Sequence, residues 1–174
     1  MDALDCILSR RSIRRFKTEP VPQETIKKIV SYARFSPSWA NTKTARYLCV
    51  SDKSVIEQVA RLAPINNRRI LLSAPQMVVI SAVQGRAGGG WTWNYTPKEW
   101  TMFDSGIAAQ TFCLAAHAHG VGTIVLGAYN LDELTAILPL PEEEMLIALI
   151  AMGYPDEMPV APRRKTVEEI LRFI

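Results

Sequence analysis

A chain of 174 residues that is 48% hydrophobic and 21% charged has the balance of one folded domain, 1–174, able to bury a core without a disulfide or metal staple. Its net charge is only +3, and its two densest basic clusters are small and lie at opposite ends, which argues against a nucleic-acid-binding module. Cys6, Cys49 and Cys113 form no CxxC or Cys/His cluster, the N-terminus lacks the regions of a secretory signal, and the most apolar run, Met145 to Met152, is too short to cross a bilayer; no metal site, no membrane span and a cytoplasmic location are expected.

Leu4, Ile7 and Leu8 repeat at helical spacing after Asp2, and Ile26, Ile29, Val30 and Ala33 do so after Pro22 in a first-turn position, so two amphipathic helices open the chain. The stretches 16–21 and 36–44 read as loops. Arg46 to Val50 is a short strand, and Ser54 with Glu57 has capping-box spacing before a third helix. Gln76 to Ala82 carries a β-branched run and reads as a strand.

The glycine-rich segment from Gly85 to Tyr95 ends in Trp91, Trp93 and Tyr95; it is either a lid or packing at a subunit edge. Lys98 to His119 reads as one long helix, apolar or small on nearly every face. Such a helix must be buried all round, which is easiest if it lies centrally and packs against a second subunit. Val121 to Leu126 is a strand, Asn130 with Glu133 starts a short helix, Met145 to Met152 is the last core strand, and Thr166 with Glu169 forms a capping box. The sum is an α+β domain of about four strands and roughly six helices, its strands too far apart for tight hairpins.

Three constellations could carry chemistry. Arg10, Arg11, Ser12, Arg14 and Arg15 sit where the first helix ends; they are either a solvated basic helix end or a phosphate site, since Arg presents a fork of donors matched to phosphate oxygens. Arg163, Arg164 and Lys165 precede the last helix, where positive charge is awkward beside a helix start and an anion held near both clusters would relieve it. If the clusters converge they form a phosphate clamp. The loop Ser36-Pro37-Ser38-Trp39-Ala40-Asn41-Thr42-Lys43 combines a flat aromatic, an amide and a cation, and is either a plain turn or the border of a planar heterocycle.

His117 and His119, two apart on a helix, face different ways and suit helix-end roles better than a shared metal. Asp104, alone in the apolar helix, is expected to satisfy a neighbouring backbone or Trp N–H rather than to serve as a functional carboxylate.

The segment Arg10 to Phe16 resembles the N-terminal signature of the nitroreductase-like flavoprotein family, and Ser36-Pro37-Ser38 through Asn41 resembles its second signature. Ala115 to Thr123 is similar to the third, and Gly153-Tyr154-Pro155 followed by Arg164 and Glu168-Glu169 to the C-terminal pattern. Four motifs in the right order over nearly the whole chain are jointly specific. The resemblance implies a nitroreductase-like α+β fold, a central and mostly antiparallel sheet flanked by helices, that forms a homodimer. It also implies an FMN-dependent oxidoreductase carrying electrons from NADH or NADPH through the flavin to a small planar acceptor such as a nitroaromatic or quinone, in ping-pong fashion.

By position, the resemblance places Arg10, Ser12 and Arg164 at the FMN phosphate, with Arg11 and Arg163 beside them. It places Arg14 and Asn67 at the pyrimidine edge, and Leu126 and Gly127 by the reactive N5. Pro37, Ser38, Trp39 and Asn41 fall in the loop that reaches the flavin held by the other subunit. Trp39, Lys43 and Leu126 depart from the family's usual residues, which bears on substrate more than on flavin. No acid–base residue is required, because the cofactor carries the chemistry. A flavin-storage protein, a dehalogenase and an enoate-type reductase are the alternatives; no G-x-G-x-x-G is present from which a nicotinamide preference could be read.

Overall fold

The computed structural model describes residues 1–88 and 99–174. Among these residues four strands form one sheet: β1 (Ala45–Val50), β2 (Gln76–Val83), β3 (Gly122–Leu126) and β4 (Glu144–Gly153), in spatial order β1-β2-β4-β3. All three pairings are antiparallel. Among the described residues seven α-helices connect and flank them: α1 (Ala3–Ser9), α2 (Gln23–Ala33), α3 (Lys53–Arg61), α4 (Ile65–Ser73), α5 (Thr101–Ala118), α6 (Leu131–Ile137) and α7 (Val167–Ile170).

The central strands are apolar on both faces because both faces are covered. β2 is buried along its whole length, as is most of β4, and alternate side chains feed two cores. Met77, Val79, Leu149 and Ala151 pack with side chains from α3, α4 and α6. Val78, Ile80, Ile150 and Met152 pack against α2 and α5 on the other side. The expected α+β layering and antiparallel sheet are therefore present.

Three expectations are corrected. The N-cap of α3 is Asp52, whose carboxylate accepts from the backbone N–H of Ser54 and Val55, so the Ser54 and Glu57 spacing does not mark the cap. Helix α4 escaped the sequence reading: its buried residues Ile70 and Leu71 are adjacent and its first turns are Asn66-Asn67-Arg68-Arg69, so no apolar stripe betrays it. Helix α5 begins at Thr101 rather than Lys98, which lies outside the described residues. Within one chain α5 leaves Met102 and Phe103 exposed beside Gly106 and Gln110, the face for which the sequence suggests a second subunit. The aromatics Trp91, Trp93 and Tyr95 also lie outside the described residues.

Two glycines bring the N-terminal segment onto the sheet. Gly122 and Gly153 face each other across β3 and β4. A Cβ at Gly122 would stand 2.8 Å from the Ile13 side chain, and one at Gly153 would stand 2.8 Å from Pro75. Only the missing side chain lets Ile13 settle at the end of the sheet. The residues around Ile13 are thereby set against β3.

Candidate functional site

The basic segment is held to the sheet by its backbone. Ser12 bridges to Thr123 of β3, and the Ile13 N–H donates to the Thr123 carbonyl at 3.1 Å. Glu157, from the far end of the chain, accepts the N–H of Arg14 and Arg15 on one carboxylate oxygen and pairs its other oxygen with Arg15 Nε at 3.4 Å. Ser73, at the end of α4, shares its hydroxyl proton between the Arg14 carbonyl at 3.0 Å and the Ile70 carbonyl at 2.8 Å. The arginines are thus sorted by partner. Arg11 donates to the carbonyls of Leu8 and Arg10 and closes the C-terminus of α1, a favourable place for a cation. Among the described residues no carboxylate pairs with Arg10, Arg11 or Arg14.

Arg10 and Arg11 border a cavity of about 430 Å³ with His117, Gly122, Thr123 and Glu157. Burial and then the two guanidiniums hold the His117 imidazole below its usual pKa, so near neutral pH it is uncharged. Its Nε2 lies 2.8 Å from the Ser9 hydroxyl, whereas His119 Nδ1 lies 2.8 Å from the Ala115 carbonyl. The two rings diverge, and no metal-holding group of His, Cys, Asp or Glu is present among the described residues. Cys113, packed near Thr123, is a thiol pushed upward by burial.

A second cavity, about 800 Å³, is bordered by Pro37, Ser38, Asn41, Lys43, Tyr47 and Asp104. Here the backbone bends through three non-glycine residues at positive φ, Ala40, Asn41 and Lys43, a conformation that costs energy and persists only when its surroundings impose it. Asp104 supplies that constraint: buried on α5, its two oxygens accept the Trp39 N–H at 3.0 and 3.1 Å. Ser38 adds its hydroxyl as acceptor for the Lys43 N–H at 2.9 Å. Asp104 thus serves a neighbouring backbone N–H, as the sequence suggested. Tyr47 on the same wall has its phenol pushed up to about 12 by burial and stays neutral.

The remaining residues gather at the other end of β3. Leu126 closes that strand and is buried, Gly127 follows it in the open, and Asn67 in the first turn of α4 donates its amide to the Ala128 carbonyl at 3.2 Å. Arg14 and Asn67 are therefore tied to one helix, Arg14 through Ser73. Arg163 and Arg164 lie exposed on the segment before α7 and border neither cavity. Sequence reasoning missed Glu157, since its contacts span more than a hundred positions and no local pattern signals it, and it placed Thr123 in the third motif without a role.

A family model described as the nitroreductase family matches residues 7–154. The chain belongs to the nitroreductase family. It is 29% identical over 175 residues to the NADPH-flavin oxidoreductase of Vibrio harveyi, covering 93% of this chain and 70% of that protein. The crystal structure of a Desulfovibrio desulfuricans protein in complex with FMN superposes with a TM-score of 0.80 at 25% identity, covering 100% of this chain and 98% of that one. A nitroreductase family protein of Streptococcus pneumoniae shares the fold, with a TM-score of 0.86 at 19% identity over 99% and 100% of the two chains. The nitroreductase fold expected from the four motifs is borne out.

Proposed function

We propose that this nitroreductase-family chain is an FMN-dependent oxidoreductase, a homodimer in the cytoplasm, that takes hydride from NADH or NADPH and passes electrons to a small planar acceptor such as a nitroaromatic or quinone. The observation that carries the reading is the donor set on β3: guanidiniums of Arg10 and Arg14 without a carboxylate partner among the described residues, on a backbone fixed by Thr123 and Glu157. Such donors fit a phosphate and an electron-rich ring edge. From Thr123 to Gly127 the strand covers about 13 Å at the usual rise, room for a ribityl chain between a phosphate near Arg10 and a ring near Gly127.

When bound, FMN supplies the hydride chemistry. The protein's residues have simpler tasks. Arg10 and Ser12, with Arg11 beside them, would hold the phosphate; Arg163 and Arg164, which border neither cavity in the single chain, would have to be brought to it in the flavin-bound dimer. Arg14 and Asn67 address the pyrimidine edge, where Arg14 keeps a positive charge that favours the reduced, more negative ring. Leu126 and Gly127 offer backbone beside the reactive position, with no side chain on Gly127 to obstruct a stacked ligand. Pro37, Ser38, Trp39 and Asn41 would cover the ring held by the partner copy, consistent with Pro37, Ser38 and Asn41 lining a separate cavity in one chain. One face serving two planar ligands in turn gives ping-pong kinetics and broad acceptor tolerance.

The exposed surface supports the dimer. The chain exposes 11256 Å², whereas a monomer of this mass exposes about 8,500 Å². Leu4 and Leu8 on α1, Met102 and Phe103 on α5, and Phe173 and Ile174 at the C-terminus are all exposed, as in a surface made to be covered by another copy. No described helix is long and apolar enough to cross a membrane, and the modest net charge leaves no basis for nucleic-acid binding.

The test is an absorbance spectrum of the protein incubated with FMN, followed by anaerobic NADH or NADPH and then an acceptor. A yellow protein that bleaches and recolours is expected, with Arg164→Ala weakening FMN binding. A protein that takes up no FMN refutes the reading. Bleaching without steady turnover on any acceptor would favour flavin storage instead.

A further inference from the structure

Glu157 lies outside every motif that assigns a residue to the flavin, yet it holds the basic segment by two backbone hydrogen bonds and an ion pair. Its Oε1 accepts the N–H of both Arg14 and Arg15, and its Oε2 pairs with Arg15 Nε. Its own position is fixed by the strand-like pairing of the segments around it: Phe16 bridges to Pro155, the Lys17 N–H donates to the Tyr154 carbonyl at 2.9 Å, and the Asp156 N–H donates to the Arg15 carbonyl at 3.0 Å. With Ser73 on the Arg14 carbonyl, both polar groups of the Arg14 main chain are held by side chains from elsewhere in the fold.

The Arg14 guanidinium is treated differently. Its one hydrogen bond among the described residues goes to the Ser12 carbonyl at 3.3 Å, and no carboxylate pairs with it. Glu157 therefore fixes the Arg14 backbone and takes up the charge of Arg15, leaving the Arg14 cation intact. Two flexible arginines next to one carboxylate would ordinarily compete for it. Here its two oxygens are taken by the backbone amides and by Arg15 Nε.

We propose that Glu157 is the positioning residue of the flavin-binding cation: it sets the direction of Arg14 and spares its charge for the cofactor. The proposal rests on the flavin reading above. Its carboxylate is held below the usual glutamate range, first by the Arg14 N–H, so it stays charged over the working range of the protein.

The test combines FMN affinity with amide hydrogen exchange of the apoprotein, in wild type, Glu157→Ala, Glu157→Gln, Arg14→Ala and the Glu157→Ala/Arg14→Ala double variant. Glu157→Ala is expected to weaken FMN binding about tenfold, the size of one lost charge-assisted hydrogen bond, and to speed exchange at the Arg14 and Arg15 amides. Glu157→Gln, whose oxygen can still accept from those amides, should recover most of both. In the Arg14→Ala background the Glu157 change should have less than a twofold effect.

Undiminished FMN affinity in Glu157→Ala overturns the proposal, and so does a loss that persists in full without Arg14. Both results leave the flavin reading standing. A wild-type protein that binds no FMN refutes that reading and the proposal together. Should Glu157→Ala fail to fold, Glu157→Asp decides: shortened by one methylene, it should show several-fold weaker FMN binding with faster Arg14 exchange, and wild-type values in both would overturn the proposal.

Discussion

The two loops that carry the candidate site are held in opposite ways. The segment 10–15 runs at ordinary negative φ and is fastened by many weak ties: the Thr123 backbone, the Ser73 hydroxyl, the partly exposed Glu157 and the packing of Ile13 against Gly122. The segment 38–43 passes through three strained residues, and its N-terminal end is held by the buried carboxylate of Asp104. Distributed fastening should degrade gradually when one tie is cut. A strained loop tied to the helix beneath it through a buried carboxylate should fail more sharply.

Asp104→Ala should therefore have the largest effect of any single change outside the core. It removes charge-assisted bonds to Trp39, leaves that N–H without its acceptor, and opens space on α5, costing about 2–4 kcal/mol. Urea unfolding measures the loss, and Asp104→Asn, which keeps one acceptor oxygen, should recover part of it. A loss below about 0.5 kcal/mol, the range of ordinary surface substitutions, would show that the loop needs no clasp and would break the contrast.

Gly122→Ala attacks the other loop at its closest packing. The new Cβ would stand 2.8 Å from Ile13 Cγ1 and 3.0 Å from Pro155 Cγ, an overpacking worth about 1–3 kcal/mol. Because Ile13 sits between Ser12 and Arg14, the strain should also weaken FMN binding. Ile13→Ala in the same chain should restore part of the lost stability, and failure of that rescue would place the strain elsewhere.

These positions differ in how plainly the sequence announces them. The strands β2 and β4 were legible because β-branched and apolar runs of that length are buried on both faces, and the caps at Asn130 and Thr166 because their partners Glu133 and Glu169 lie three residues away. Family motifs placed Arg10, Ser12 and Ser38 on loops that the structure sets beside β3 and the second cavity. Helix α4 was illegible, since tertiary contacts and not an apolar stripe hold it. Glu157 was illegible for a different reason: its partners stand 142 and 143 positions away, and a carboxylate in a proline-rich tail has no local signature. The packing role of Gly122 likewise emerges only once Ile13 is seen against it.

Ala40→Gly sharpens the comparison from the side of strain. At φ 43 and ψ 28 an alanine occupies the left-handed region at a cost of roughly 1–2 kcal/mol that glycine avoids, while glycine loses up to about 1 kcal/mol more entropy on folding. The net expectation is unchanged stability or a gain of up to about 1 kcal/mol, read from the urea midpoint at constant m. Destabilisation would mean that the Ala40 methyl contributes packing that outweighs the relief.

Acid should separate the two loops by the smallest margin. Glu157 has a folded-state pKa below its unfolded value, chiefly because it accepts the Arg14 N–H. A depressed carboxylate contributes stability that is present above the unfolded pKa, about 4.3, and is lost as pH falls through the lower folded value. Wild type should therefore lose stability faster than Glu157→Gln below about pH 4.3, because glutamine has no proton to bind, while the two run parallel above pH 6. Parallel curves throughout would mean that the charge of Glu157 contributes nothing to holding the segment. Its oxygen would then act only as a neutral acceptor, and the basic loop would rely on packing against Gly122 and on the Thr123 backbone.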